Sequence, residues 1–206
     1  FLLALSYAVT SGGAYWLTNA LPFDSFSIAW NRLQIFILLL HYLALAIPFF
    51  CSGAALGLLF VLYPQAMGRV YALNLIGSAM GGLAALFVPN WVGGEGVIWV
   101  SGLLGASAAL CFAQGIEGPR HKRFAFLPAI FPLGWGLFCL LVLVFRPAIF
   151  DIQLSPYKGL SYALQYPGAR IVSQRWNGFS RVDVVESGGI RSLPGLSYRY
   201  LEAPPP

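Results

Sequence analysis

The side chains able to do covalent or acid–base chemistry are few and far apart in this sequence. Cys51, Cys111 and Cys139 all lie within apolar runs, and no Cys-x-x-Cys spacing occurs. Three dispersed thiols make neither a disulfide framework nor a metal site. They read as small apolar packing residues. His41 and His121 add no zinc ligand set to them. His41 falls inside an apolar run, and a titratable group within a membrane is a candidate proton relay. No acidic residue in the surrounding spans could partner it, so a packed, neutral histidine is the other reading. Asn74, close to Arg69 and Tyr71, could line a site, cross-link helices or be hydrated at an interface. Asp183 and Glu186 are the paired acids of the C-terminal segment. Three apart in a strand they point to opposite faces, and both are read as solvated. No Gly-x-Gly-x-x-Gly after a strand, Walker-type loop, nucleophile elbow or His-Glu-x-x-His occurs. The residues therefore name no catalytic group, no metal ligand and no cofactor-binding position.

The elements that would carry such groups are set by composition. Of 206 residues, 58% are hydrophobic and 9% charged, with a mean hydropathy of +0.74. A typical globular chain is about 45–50% apolar and about 25% charged. Disordered, coiled-coil, collagen-like and ordinary cytosolic classes are excluded. Between residues 33 and 115 the only charged side chains are Arg69 and Glu95. A charge at mid-bilayer costs at least about 2.5–3.5 kcal/mol, so such a stretch suits lipid-facing helices.

About four spans are expected in a transmembrane region over 33–146. The first, 33–63, is read as one long helix kinked at Pro48, with a tight hairpin there as the alternative. The others are 71–88, 97–114 and 124–145, separated by Pro64–Gly68, a Gly-rich turn at Gly93–Gly96, and the polar loop Glu117–Arg123. Residues 1–32 are read as the end of an earlier span and its loop, in a chain expected to be part of a longer protein. Small residues recur four apart at Gly53 and Gly57, Gly77 and Gly81, and Gly105 and Ala109. This spacing lets helix backbones approach in lipid. Gly53, Gly57, Gly77 and Gly81 are thus expected at helix contacts, within one bundle or between two copies.

After Asp151 the composition changes. Residues 151–206 hold six Lys/Arg and four Asp/Glu. Arg170–Ser173 and Arg181–Glu186 read as strands, and Ser187-Gly188-Gly189 could turn the chain into a further strand at Ile190–Leu193. Fifty-six residues bury little apolar surface, so the segment reads as the beginning of a soluble domain. The net charge of +5 is spread along the chain. The cluster Arg120–Arg123 is too short for nucleic acid and marks a cytoplasmic loop or a contact with anionic headgroups.

Two groups of residues resemble a known family. Ser155–Leu160 (SPYKGL), Trp176–Ser187 (WNGFSRVDVVES) and Pro194–Tyr198 (PGLSY) are similar to the opening of the soluble domain in bacterial membrane-fused spermidine synthase-like proteins. Ile47–Gly53 (IPFFCSG) and Tyr71–Gly81 (YALNLIGSAMG) look like the helices that precede it there. The resemblance covers roughly residues 20–206, and its 155–198 part is the more specific. It implies an α-helical multi-span membrane bundle, then a β-hairpin-rich segment that begins a truncated soluble α/β, Rossmann-like domain. It further implies S-adenosylmethionine or its decarboxylated form as cofactor, a small amine as acceptor, and a bacterial inner-membrane protein with its domain in the cytoplasm. The glycine-rich loop and the acids that hold cofactor and amine in that family have no counterpart in these 206 residues, so no transferase activity is expected of them alone. A related methyltransferase, or a transporter or membrane scaffold with a non-catalytic domain, are the alternatives. Charge counting opposes the resemblance on sidedness. It places the basic loops at Arg69 and Arg120–Arg123 in the cytoplasm and the domain outside.

Overall fold

A computed structural model describes residues 1–21, 23–114, 126–155 and 157–189. The fold is mostly helical. Among the described residues, five long helices, α1 (Leu2–Ala20), α2 (Leu33–Leu62), α3 (Met67–Phe87), α4 (Pro89–Gln114) and α5 (Phe126–Phe145), are followed by the short α6 (Gly159–Ala163) and two strands, β1 (Arg170–Trp176) and β2 (Arg181–Glu186). Among the described residues three helices, Leu33–Leu62, Pro64–Phe87 and Pro89–Gln114, are long and apolar enough to cross a membrane. The 20 residues of α5 rise about 30 Å, close to the thickness of a hydrocarbon core.

Helix α1 packs between α2 and α4, and α5 lies along α4. The contact faces are built from small residues. Ala4, Ala8 and Gly12 lie four apart on α1, and Gly102, Gly105, Ala106 and Ala109 line the facing side of α4; all are buried. A Cβ on Gly105 would come within 2.7 Å of Tyr7 and 2.9 Å of the Ala8 side chain. The backbones therefore approach as closely as glycine permits, which is how helices associate where lipid supplies no hydrophobic drive between them. Toward the hairpin end, Trp99, Cys139 and Val142 form an apolar core, with Tyr15, Leu103, Trp135, Leu143 and Phe150 packed around it.

Of the three small-residue pairs, Gly105 and Ala109 alone meet another helix among the described residues. A Cβ added at Gly53, Gly57, Gly77 or Gly81 finds no described atom within 4 Å, and α3 has no buried residue. Among the described residues no other helix lies against these four glycines. Their period is right, but the fold turns α4 toward α1 and leaves α3 on the outside, touching α2 and α4 only lightly.

Boundaries also differ from the expectation. Helix α1 runs on through Ser11-Gly12-Gly13 to Ala20 and is an integral part of the bundle. Helix α2 is continuous through a buried Pro48, as expected for one helix rather than a hairpin. Helix α3 begins four residues early, so Arg69 lies in its first turn. The Gly-rich turn contracts to a single residue. Gly93 alone leaves the helical region, at φ 79° and ψ 170°, a conformation essentially restricted to glycine. Gly94 onward is helix.

The two strands pair antiparallel, from Arg170 opposite Glu186 to Trp176 opposite Arg181, with a bulge between Ile171 and Ser173. The hairpin loop is Asn177–Ser180. The Asn177 side-chain oxygen accepts from the Phe179 and Ser180 amides at 2.8 and 2.7 Å, and the Asn177 amide donates to the Ser180 carbonyl at 2.9 Å. The turn expected at Ser187–Gly189 thus lies beyond the hairpin, and Ile190–Leu193 lies outside the described residues. No Rossmann-like domain is found among the described residues.

Candidate functional site

Charged residues are scarce in the helices, so their ends hold the polar chemistry. With five helices in sequence, the loop after α1, the start of α4, the end of α5 and the hairpin share one end of the bundle. Direct contacts establish this. The Tyr15 hydroxyl donates to the Phe150 carbonyl. The Asn19 amide donates to the Asp151 carbonyl at 2.8 Å, and its oxygen accepts from the Gln153 amide at 2.8 Å. The Arg146 guanidinium donates to the Trp91 carbonyl at 2.9 Å. Arg146 is the positive-φ residue that stops α5, at φ 44°, just before Pro147.

The hairpin sits on this end through two close approaches. The Trp176 ring covers Gly94, where a Cβ would lie 2.6 Å from its Cη2 atom, and a Cβ on Gly178 would lie 2.9 Å from the Leu86 backbone. Larger residues at either position would hold the hairpin off. Arg181 lies over the Trp176 ring, 6.0 Å from its centre, and pairs with Asp183 at 2.9 Å.

Between hairpin and helices lies a cleft of about 840 Å³. Its apolar wall is Trp99, Val142, Leu143 and Phe150. Its polar wall includes Glu95, Arg146, Asp151, Arg175 and Arg181, with Trp91 and Trp176 beside them. Two of the arginines are engaged, Arg146 by Trp91 and Arg181 by Asp183. The half-buried Glu95 and the exposed Arg175 form no ion pair among the described residues, whose pairs are Arg170–Glu186 and Arg181–Asp183. The Glu95 carboxylate folds back toward Gly93, in the first turn of the helix restarted at Gly94, where the helix dipole favours a negative charge. The indole Nε1 atoms of Trp99 and Trp176 are buried without a hydrogen-bond partner among the described residues.

A second contact ties the segment after α5 to the loop after α1. Tyr157 donates to Asp24 at 3.1 Å, and its ring lies 4.5 Å from that of Phe26. Desolvation pushes the Asp24 carboxyl up, but hydrogen bonds from the Phe26 amide, Ser27 and Tyr157 outweigh it and hold the group below the usual aspartate value. The bond to Asp24 is also what pushes the Tyr157 phenol up, helped by desolvation.

The residues singled out in the sequence are dispersed. His41 packs its ring edge against Phe23, 6.1 Å between centres, and its Nε2 has no partner among the described residues. Asn74 is half-buried on α3, away from the cleft. Cys51 and Cys139 are buried and Cys111 is exposed. His121 and Arg120–Arg123 lie outside the described residues. Asp183 and Glu186 do face opposite sides of the sheet, but Asp183 is not solvated. Its side chain is 10% exposed against Arg181, whereas Glu186 is open and pairs with Arg170 at 2.8 Å. The cleft residues Glu95, Arg146 and Arg175 were not legible as a group, because 80 positions separate the first from the last. Their signal was the hydrophobic pattern itself, which leaves charges only at span ends.

Comparison with protein families, with curated proteins and with solved structures found no match to this chain.

Proposed function

We propose that this chain is the membrane-anchoring and N-terminal part of a spermidine synthase-like aminopropyltransferase. The observation that carries the reading is the fold of the motif behind the resemblance. Trp176–Ser187 forms the end of the first strand, the loop and the second strand of an antiparallel hairpin that follows the last long helix and the short α6. That order, helices and then a hairpin, is the one the resemblance implies. The hairpin is seated on the helix ends through Gly94 and Gly178, and a rigid seat is what an anchor needs to hold a soluble domain at the membrane surface. In this reading the helices place the domain, and cofactor and amine bind to chain beyond residue 206.

The test is an assay of the full-length protein in nanodiscs, with decarboxylated S-adenosylmethionine or S-adenosylmethionine and a panel of amines, beside residues 1–206 alone. Aminopropyl transfer by the full-length protein and none by residues 1–206 is the expected result. Methyl transfer from S-adenosylmethionine would assign the alternative transferase. Absence of both reactions, and of binding to either cofactor, would remove the transferase reading and leave the scaffold.

A further inference from the structure

We propose that the cleft between the hairpin and the ends of α4 and α5 binds a zwitterionic headgroup carrying an ammonium and a phosphate, the chemistry of an aminophospholipid. The site lies wholly within this chain and is independent of any transferase activity.

The argument starts from unmatched charge. Glu95 and Arg175 both line the cleft, and neither is paired among the described residues, although each has opposite charges in the same cavity. Arg146 and Arg181 are already held by Trp91 and Asp183. A half-buried carboxylate without a counter-charge is unfavourable, and a cation placed beside it relieves the cost. A ligand carrying one charge only would satisfy Glu95 or Arg175 but not both.

The walls narrow the class further. Trp91 also lines the cleft and its ring is exposed, and an open indole face attracts ammonium groups. Arg175 offers a guanidinium fork, whose geometry matches phosphate oxygens. The opposite wall, Trp99, Val142, Leu143 and Phe150, is apolar and suits the glycerol and first methylenes of an acyl chain. The cavity lies at the start of α4, a helix long and apolar enough to cross a membrane, and span ends are the depth at which phospholipid headgroups are concentrated. At about 840 Å³ it falls within the usual range of small-ligand sites.

The test uses the protein in nanodiscs of phosphatidylcholine with a minor fraction of phosphatidylethanolamine. Lipid retained after mild detergent extraction is counted by native mass spectrometry. The wild type is expected to retain phosphatidylethanolamine preferentially. Glu95→Gln and Arg175→Ala are each expected to weaken that retention about tenfold or more, the scale of a charge-assisted hydrogen bond, and Arg175→Lys is expected to keep part of it. Tryptophan quenching by brominated phosphatidylethanolamine provides a second readout, and hydrogen exchange in β1 confirms that the hairpin stays seated in each variant. Soluble phosphoethanolamine distinguishes the source. Saturable binding of it without lipid preference assigns a free phosphoamine to the same site, whereas lipid retention that it does not displace assigns the lipid. Equal retention by wild type and both charge variants, with no phosphoethanolamine binding, overturns the proposal.

Discussion

The seat of the hairpin rests on a missing side chain. Trp176 covers Gly94 so closely that an alanine Cβ would stand 2.6 and 2.7 Å from ring carbons Cη2 and Cζ3. Ordinary contact begins near 3.4 Å, so the indole would have to retreat by roughly 0.8 Å, which on a dispersion potential forfeits a quarter to a half of each displaced contact. The ring cannot tilt freely, because Arg181 lies over it and the Gly178 end is pinned against the Leu86 backbone. Overpacking of this kind costs about 1–3 kcal/mol, so Gly94→Ala should lower the ratio of seated to unseated hairpin roughly 5- to 150-fold. Hydrogen exchange of the Arg170–Trp176 amides measures that ratio directly, since the strand is protected only while paired and seated. Gly188→Ala, with open space around its Cβ, serves as control. In a Trp176→Ala background Gly94→Ala should cost little, giving a large coupling in the double-mutant cycle. Unchanged exchange in Gly94→Ala, or additive effects in the cycle, would refute the idea that this contact seats the hairpin.

Gly105→Leu should lower the melting temperature in detergent by several degrees, because its Cβ already meets Tyr7 and Ala8; Gly77→Leu and Gly81→Leu should leave it unchanged, and a drop in all three would show that α3 has a partner in solution. Arg146→Ala should destabilise the α4–α5 end by removing the bond to Trp91, whereas Arg146→Gly should be milder, because glycine relieves a positive φ that costs about 1–3 kcal/mol elsewhere; differential melting curves compare the two. The Asp24–Tyr157 contact has a pH window. Asp24 is held below its ordinary pKa, so its contribution is present above that value and fades as pH falls through the lowered one; Tyr157 is pushed above its ordinary 10.0, so its contribution is present below 10.0 and fades as pH rises through the raised value. Proteolysis of the 151–169 segment should be slowest in the window between. Tyr157→Phe should abolish the alkaline limb and leave an acid limb, because the Phe26 amide and Ser27 still hold the Asp24 carboxylate; an alkaline limb that survives Tyr157→Phe sinks the assignment.

The helices were legible because a bilayer allows so few choices. With backbone groups unable to reach water, long uncharged runs must be helical, and α2, α4 and α5 follow from that alone. Which helices touch was not legible. Gly77–Gly81 and Gly105–Ala109 carry the same spacing, yet only the second pair faces a partner, because that depends on where Ala4, Ala8 and Gly12 of α1 come to lie. Helix α1 was under-read, as the end of an earlier span and its loop, for a related reason. Its second half is rich in Ser, Thr, Gly and Tyr, so hydropathy falls although Gly12 and Ala14 are buried there, as Ala4 and Ala8 are before them. The hairpin was half legible. Both strands followed from their β-branched residues, but the Asn177-Gly178 turn was passed over for the glycines at 188 and 189. The burial of Asp183 beside Arg181 could not be read at all, since strand alternation assigns a face without saying which face is covered.

These facts share one physical arrangement. Inside the bundle, contacts are made by small residues and aromatic edges, and no ion pair is found in the helices among the described residues. At the hairpin end, polar groups return, yet the seating contacts are still glycine against indole and glycine against backbone. Shape therefore fixes the position of the hairpin, which leaves charges such as Glu95 and Arg175 unspent on holding it. A surface ion pair contributes little in water, about 0–1 kcal/mol, and would make a poor clamp in an interface crowded with charged headgroups. Contacts that exclude water and depend on fit keep their strength there. The hairpin is placed by packing, and the charges around it remain available for a ligand.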